Sequence, residues 1–422
     1  MDNRFANLFD LTEEEAISLL DTPQEQLEED DSHRYIAAAH LANFPSEQSI
    51  EALTRAVNTI HPSLENRIAR RKSIESLGRL RATQALPAIA PCLADEDCYT
   101  VETAVWAIGE IGTQDETILN AITQLLEKPG QIYRIIIQTL ARLNYQPAVE
   151  HIRNFIESSD APTASAAIVA VGRLTGDYGE IDRVVKLLLH PNINARRSCL
   201  QDLIDARYYA AIPNIARCPV SMAFRLRAIR LMAEEAVPAG NLTFEAIQPS
   251  LELALLDRPR NLDLVHEYDQ LPSLEFLVQD LYQTDFGRCY LATKLLLECY
   301  PQEAPQALLA TYEKEAHNDY GAHYHVMKLL GWLQYAPAYE LLVEAFHNDA
   351  PQFEKSRAAA AIALAEIGDS RAIPELQKAF DTKIWTLKYA ALIALEKLGD
   401  TSGRDRAATD PDWLIRARAA QA

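Results

Sequence analysis

The stretch from Asp97 to Asp115 carries side chains that could bind a ligand. Glu102, Trp106 and Glu110 follow one another at four-residue intervals, which places them along one face of a helix, and Tyr99 lies one turn earlier. An indole ring between two carboxylates could hold a flat, conjugated ligand with N–H groups, because the ring stacks and a carboxylate accepts the hydrogen bonds. In the alternative interpretation, Trp106 is an ordinary core residue and both acids are solvated.

A second aromatic and basic cluster lies further along the chain. Arg288, Tyr290, His323 and Tyr324 could serve the same ligand, although packing roles are the alternative for each. His323 and His325 are two residues apart, so on a helix they point about 200 degrees from each other and could not share a metal ion. No metal site is therefore predicted, and no glycine-rich phosphate loop, G-x-S-x-G elbow or HExxH pair occurs.

The elements that must position these side chains are helices in pairs. Val101, Val105, Ile108 and Ile111 recur at three- and four-residue steps and form one apolar stripe. Gly109 and Gly112 mark the end of this helix. A second apolar run follows over 118–126 after a polar turn. The repeating unit is thus a helix, a turn and a second helix.

The unit recurs at a nearly fixed interval. The counterparts of Ile108 are separated by 31, 32, 31 and 32 residues; together they are Leu77, Ile108, Leu140, Val171 and Leu203. The pattern returns near the C-terminus at Leu330, Leu364 and Leu395. A fixed period of this length indicates a solenoid. The sequence predicts an all-α protein, a right-handed, curved α-solenoid that forms a single continuous array of helical pairs.

Five blocks are predicted along this array. They are an N-terminal cap with the first helical pair over 1–64, regular repeats over 65–236, an irregular connection over 237–283, further repeats over 284–400 and a polar tail over 401–422.

Charge and composition exclude several classes of protein. The net charge of −20 argues against nucleic acid, which requires a basic stripe. The basic clusters at 67–72 and 225–230 are interpreted as solvated faces. No apolar run approaches the roughly 18 residues of a membrane helix, and no signal peptide is recognised. Six scattered cysteines without zinc spacing indicate free thiols in a reducing compartment, so a cytosolic protein is expected.

Three strings carry a resemblance to a known family. DCYTVETAVWAIGEIGTQD from Asp97, RRKSIESLGRLRATQALP from Arg70 and DFGRCYLATK from Asp285 resemble the E/F-type bilin lyases of phycobilisome assembly, which are built of HEAT-like repeats. The resemblance runs from Phe5 to at least Tyr300. The opening RFANLFDLTEEEAISLLDTPQ is most similar to the long, single-chain phycoerythrobilin lyases that act on phycoerythrin α subunits.

The resemblance implies an enzyme that holds a linear tetrapyrrole while a cysteine of an apo-phycobiliprotein adds to it. The nucleophile would belong to the acceptor, and phycoerythrobilin would be a substrate, with no cofactor. The implied partners are the apo-phycoerythrin α subunit and the bilin, and the need for a second lyase chain stays open. The implied catalytic residues are Tyr99, Glu102 and Glu110. The implied bilin contacts are Trp106, Arg70, Arg71, Arg288, Tyr290, His323 and Tyr324, with Arg70 or Arg71 pairing with a propionate.

Two alternative functions stay open. A lyase that also isomerises phycoerythrobilin to phycourobilin would share the same motifs. A non-enzymatic scaffold or chaperone for phycobiliprotein assembly would show the same acidic, repeat-built chain.

Overall fold

A computed structural model describes residues 11–23, 26 and 33–421 and divides the chain into two compact units, Met1–Ile181 (unit 1) and Asp182–Ala422 (unit 2). The described residues contain many helices and no strand, which confirms the all-α class. The division falls inside the predicted block 65–236, and the five predicted block boundaries stay predictions. Part of the predicted N-terminal block, at 1–10, 24, 25 and 27–32, lies outside the described residues.

Unit 1 is a stack of helical pairs. The first helices α2, α4, α6, α8 and α10 contact one another in succession, and the second helices α3, α5, α7 and α9 each pack against the first helix that follows. The bounds are α1 Glu13–Leu20, α2 His33–Leu41, α3 Glu47–Asn58, α4 Leu64–Arg79, α5 Leu86–Ile89, α6 Cys98–Ile111, α7 Glu116–Gln124, α8 Tyr133–Arg142, α9 Val149–Arg153 and α10 Ala161–Thr175.

Unit 2 is built from the same kind of pair, with a longer interruption that runs without α-helix from 257 to 273. Helices α19, α21, α23 and α25 contact one another in succession. The bounds are α11 Ile181–Lys186, α12 Ile193–Asp205, α13 Ile212–Arg217, α14 Met222–Ala236, α15 Phe244–Leu256, α16 Leu274–Gln279, α17 Phe286–Cys299, α18 Ala304–Thr311, α19 Tyr320–Trp332, α20 Tyr339–His347, α21 Glu354–Ile367, α22 Ala372–Gln377, α23 Trp385–Lys397, α24 Ser402–Ala407 and α25 Trp413–Ala420.

Helix α6 shows how the sequence sets these bounds. The Asp97 carboxylate accepts a hydrogen bond from the Tyr99 N–H and caps the first turn. Val101, Val105 and Ile108 are buried, as the apolar stripe predicts. The helix ends at Gly112, whose φ of +81° is readily available to glycine. Thr12 and Glu15 form a capping box at the start of α1.

Small residues on the first helices allow close packing between neighbours. A Cβ at Gly78 of α4 would lie 2.9 Å from the Ala107 Cα atom of α6. A Cβ at Gly331 of α19 would lie 2.5 Å from the Ala363 Cα atom of α21. Both glycines follow the apolar anchor of their repeat, so the recurring small residue permits the first helices to stack.

Replacing Gly331 with alanine is expected to destabilise unit 2. The new methyl group meets backbone, and such overpacking costs about 1–3 kcal/mol, against a gain of about 1 kcal/mol for alanine over glycine in a helix. The midpoint of urea unfolding should move to lower concentration. In the control Gly109→Ala, the nearest atoms belong to the Thr139 side chain at 3.0 Å, which can shift. A Gly331→Ala variant as stable as the parent would contradict the packing argument.

The last segment differs from its prediction. Residues 401–422 were expected to be a polar tail, but α24 and α25 form a further helical pair that packs on α23. Leu414 and Ile415 are fully buried. Arg418 is buried as well and pairs with Glu252 and Glu396. The prediction was based on polar composition, and it is wrong because the Arg418 side chain is neutralised by acids on α15 and α23.

Candidate functional site

The first turns of α2 and α6 and the middle turns of α4 surround a cleft of about 350 Å³ in unit 1. Its residues share one face on each helix, since Arg71 and Glu75 are four residues apart on α4, and Tyr99 and Thr103 are four apart on α6. We call it the unit 1 cleft. It is lined by Tyr35, Ile68, Arg71, Lys72, Glu75, Tyr99, Glu102 and Thr103.

The cations of the unit 1 cleft lie close to aromatic rings. The Arg71 guanidinium is 5.7 Å from the centre of the Tyr99 ring and 3.7 Å from an Asp97 carboxylate oxygen. The Lys72 ammonium is 5.1 Å from the Tyr35 ring centre and pairs with Glu75. Tyr99 is 56% exposed. The cleft therefore offers open ring faces beside positive charge.

Glu102 is the carboxyl group of this cleft without a cation partner. It is half-buried, and burial raises its pKa. Within the described parts of the chain, its side chain forms no hydrogen bond or ion pair. A carboxyl group with a raised pKa holds its proton at a pH where an ordinary one is ionised, so Glu102 can donate a proton or a hydrogen bond.

The structure brings together only part of the predicted α6 and α4 set. Tyr99, Glu102 and Arg71 line the cleft. Glu110 lies two turns further along α6 than Glu102 and pairs with Arg142. Trp106 is half-buried and packs on the core of unit 1, which corresponds to the alternative that the sequence left open.

Arg70 is occupied by structural contacts. Its side chain donates to the Val57 carbonyl at 2.8 Å, to Asp95 at 2.5 Å and to the Cys92 sulfur at 3.2 Å. Of the two arginines predicted as propionate partners, Arg71 is the one that faces the cleft.

The second predicted cluster is mostly buried. Tyr290, His323 and Tyr324 lie inside unit 2, while Arg288 is exposed. Burial lowers the pKa of His323 to about 4, so its ring is neutral. These side chains present no common face to a ligand, because the helix turn that exposes Arg288 directs Tyr290 into the core.

The buried tyrosines belong to a network around Asp257, which follows α15 in the left-handed conformation. Arg225 pairs with Asp257, and the Tyr290 hydroxyl donates to Asp257 at 3.0 Å. The Tyr324 hydroxyl donates to the same carboxylate. Burial opposes the charge of Arg225, but Asp257 holds the pKa of this guanidinium above its usual value. The prediction that Arg225 lies on a solvated face is therefore wrong.

A larger cavity, of about 660 Å³, opens beside this network in unit 2. We call it the unit 2 cavity. The first turns of α14, α17, α19, α21 and α23 contribute to it. Its lining residues are Arg197, Ser221, Met222, Ala223, Phe224, Leu226, Arg227, Arg230, Leu231, Glu234, Phe286, Tyr320, Pro351, Gln352, Glu354, Lys355, Trp385 and Thr386.

Sequence reasoning missed the unit 2 cavity, although a signal was present. An aromatic residue stands in the first turn of many first helices; examples are Tyr99 of α6, Phe224 of α14, Phe286 of α17, Tyr320 of α19 and Trp385 of α23. Stacking of first helices brings equivalent first turns together. Reading this position across all repeats would have indicated both the unit 1 cleft and the unit 2 cavity.

The described residues contain neither a candidate membrane-spanning helix nor a candidate metal site. Across 11–23, 26 and 33–421, no helix has both the length and the apolar character needed to span a membrane. In the same residues, no three His, Cys, Asp or Glu side chains are grouped so that they could hold a metal ion.

Comparisons with known proteins define the class and then the family. A sequence profile of HEAT repeats matches residues 63–134 and 340–422, so the chain contains HEAT repeats. It is 59% identical over 416 residues to an uncharacterized phycocyanin operon protein Y from Pseudanabaena tenuis (strain PCC 7409), covering 99% of both chains. It is 36% identical over 384 residues to the bilin biosynthesis protein CpeY from Synechococcus sp. (strain WH8020), covering 88% of this chain and 91% of that protein.

A shorter relative carries the name of an enzyme. The chain is 29% identical over 227 residues to the phycocyanobilin lyase subunit alpha from Nostoc sp. (strain PCC 7120), covering 49% of this chain and 81% of that protein. The chain belongs to the E/F-type bilin lyase family, a family of enzymes, which confirms the resemblance carried by the three sequence strings.

Proposed function

We propose that this protein is a phycoerythrobilin lyase, which binds the linear tetrapyrrole and catalyses formation of a thioether to a cysteine of the phycoerythrin α subunit. The observation that carries the proposal is the unit 1 cleft, in which a half-buried carboxyl group, an arginine and an exposed tyrosine ring meet in a member of the bilin lyase family. No cofactor is required, since the bilin is a substrate.

The chemistry is an addition without a leaving group. The acceptor thiol gives up its proton, its sulfur forms a bond to the ethylidene carbon of ring A, the carbon–carbon double bond opens, and the conjugated system takes up one proton, so that the net reaction adds the thiol across the double bond. Glu102, whose pKa is raised by burial, is positioned to hold a pyrrole nitrogen and to supply that proton, and the proton released by the acceptor thiol restores it. Arg71 pairs with a propionate and Tyr99 packs on a ring.

The protein's own cysteines fit a reaction in which the nucleophile comes from the acceptor. Cys92, Cys199, Cys218 and Cys289 are buried, and burial raises the pKa of Cys218 to about 12. Neither the unit 1 cleft nor the unit 2 cavity has a cysteine in its lining. The enzyme then contributes orientation and proton transfer, which are sufficient for a thiol addition.

We place the reaction in the cytosol and infer apo-phycoerythrin α subunit as the acceptor. A second lyase chain is a candidate partner, because one relative is named as a lyase subunit. Adding candidate second chains to the purified protein tests this partner directly.

The bilin and the acceptor are tested together. The full chain is incubated with phycoerythrobilin or phycocyanobilin and with apo-phycoerythrin α or β subunit, and colour that survives denaturation is recorded. We expect covalent phycoerythrobilin on the α subunit. A bluer, phycourobilin-type product would instead indicate a lyase that isomerises, and no gain over the uncatalysed reaction with any acceptor would contradict the lyase proposal.

A further inference from the structure

The unit 2 cavity has no role in the account above, yet it is the larger of the two sites. At about 660 Å³ it lies within the range of small-molecule sites, whereas the unit 1 cleft, at about 350 Å³, is near the lower end. Four pyrrole rings with their side chains exceed a typical drug-sized ligand. The unit 2 cavity is therefore the better match in volume to a whole linear tetrapyrrole.

The cavity holds a lysine without an anionic partner. The Lys355 ammonium lies 4.2 Å from the centre of the Phe286 ring and 4.5 Å from that of Tyr320. Among the described residues it forms no ion pair. Burial lowers its pKa to about 8, so the group is charged below that pH. An ammonium group held by ring faces alone keeps its strong demand for an anion.

Arg197 is a second cation of the cavity that forms no ion pair among the described residues. Arg197 stacks at 5.0 Å over the Phe224 ring, and its Nε–H is buried without a hydrogen-bond partner in the described structure. Among the described residues, its terminal nitrogens form one hydrogen bond, to the Thr284 carbonyl, which is long at 3.5 Å. A buried guanidinium N–H that lacks an acceptor is costly unless a ligand supplies one.

The other charges of the cavity are largely matched. Arg230 pairs with Glu234 at 2.7 Å and with Asp412 at 2.8 Å, and it stacks over the Trp385 ring. Glu354 is exposed. The unmatched charge is therefore positive, in a chain whose net charge is −20. A local positive charge in a chain of negative net charge favours an anionic ligand at this site.

We propose that the unit 2 cavity is a second bilin-binding site, separate from the unit 1 cleft, in which Lys355 and Arg197 bind the two propionates of a bilin while the rings of Phe224 and Trp385 pack on its conjugated system. Two unmatched cations meet two carboxylates, and the aromatic rings supply flat apolar surface. This inference rests on the proposed function, since the lyase activity defines the ligand as a linear tetrapyrrole.

The test is a titration of the full chain with phycoerythrobilin, followed by the change in bilin absorption. Losing a charge-assisted hydrogen bond weakens binding by about 10-fold to 100-fold, so we expect that loss in Lys355→Met and in Arg197→Met. Lys355→Arg keeps the charge and should retain most of the affinity. Lys383→Met, at an exposed lysine outside the cavity, is the matched control and should bind like the parent.

A neutral probe separates carboxylate recognition from a structural effect. Phycoerythrobilin dimethyl ester has no propionate charge, so Lys355→Met should change its affinity little, although it weakens the free acid strongly. Equal losses for the acid and the ester, or full affinity of Lys355→Met for the acid, would overturn the proposal.

The outcome is independent of whether transfer occurs. A parent chain that transfers bilin while Lys355→Met and Arg197→Met bind normally would refute the cavity assignment and leave the lyase proposal standing. A parent chain that binds bilin through these cations but never yields a covalent product would refute the lyase proposal alone.

Discussion

Replacing Asp257 with alanine is expected to cause the largest loss of stability in unit 2. The change leaves the Arg225 guanidinium buried without its counter-charge and removes the acceptor of the Tyr290 and Tyr324 hydroxyls. Removing one partner of a buried ion pair costs about 3–5 kcal/mol. The free energy of unfolding, followed by urea titration and circular dichroism, should fall by an amount in this range.

An exposed pair provides the matched control. Asp263 pairs with Arg217, and their side chains are 35% and 47% exposed. Surface pairs of this kind contribute about 0–1 kcal/mol, so Asp263→Ala should change the unfolding midpoint little. Equal effects of the two substitutions would show that the Asp257 network does not hold unit 2 together.

The second large effect is expected in catalysis. Glu102→Gln keeps the shape of the side chain but removes its exchangeable carboxyl proton, so the rate of covalent attachment should fall about 10²-fold to 10⁴-fold if Glu102 is the general acid. Burial raises the pKa of Glu102, so its protonated form persists to higher pH than that of an ordinary carboxyl group. The parent rate should decline as pH rises through this pKa, and the Gln variant should lack that decline.

Glu110→Gln is the control for this effect on the same helix. Glu110 is neutralised by Arg142 and does not line the cleft, so its replacement should leave the attachment rate near that of the parent. A loss in Glu110→Gln that equals the loss in Glu102→Gln would refute the assignment of the unit 1 cleft. Bilin binding measured on both variants distinguishes lost chemistry from lost affinity.

The helical pairs could be predicted from the sequence because their determinants are local. The stripe of Val101, Val105 and Ile108 defines a helix, and Gly112 defines its end. The tail was predicted wrongly because burial of Arg418 depends on Glu252 and Glu396, which are distant in sequence. Periodicity reports which face of a helix is apolar, but it does not report which charges will be matched across helices.

Only part of the candidate sites could be predicted from the sequence. Helical spacing placed Tyr99 near Glu102, and the repeat brought Arg71 of the preceding first helix to them. The same spacing also grouped Glu110 with Glu102. Periodicity describes only one helix, so it could not show that Glu110 pairs with Arg142 of the neighbouring helix α8. The unit 2 cavity depends on residues as far apart as Arg197 and Trp385, and no motif joins them in the sequence.

The most direct test of the central claim is turnover. A substoichiometric amount of the full chain is mixed with phycoerythrobilin and excess apo-phycoerythrin α subunit, and covalent chromophore on the denatured α subunit is counted per molecule of chain. We expect many covalent attachments per molecule, at a rate above the uncatalysed addition and with a single absorption spectrum. Attachment that stops at one per molecule, or that proceeds equally without the chain, would contradict an enzyme and indicate a scaffold.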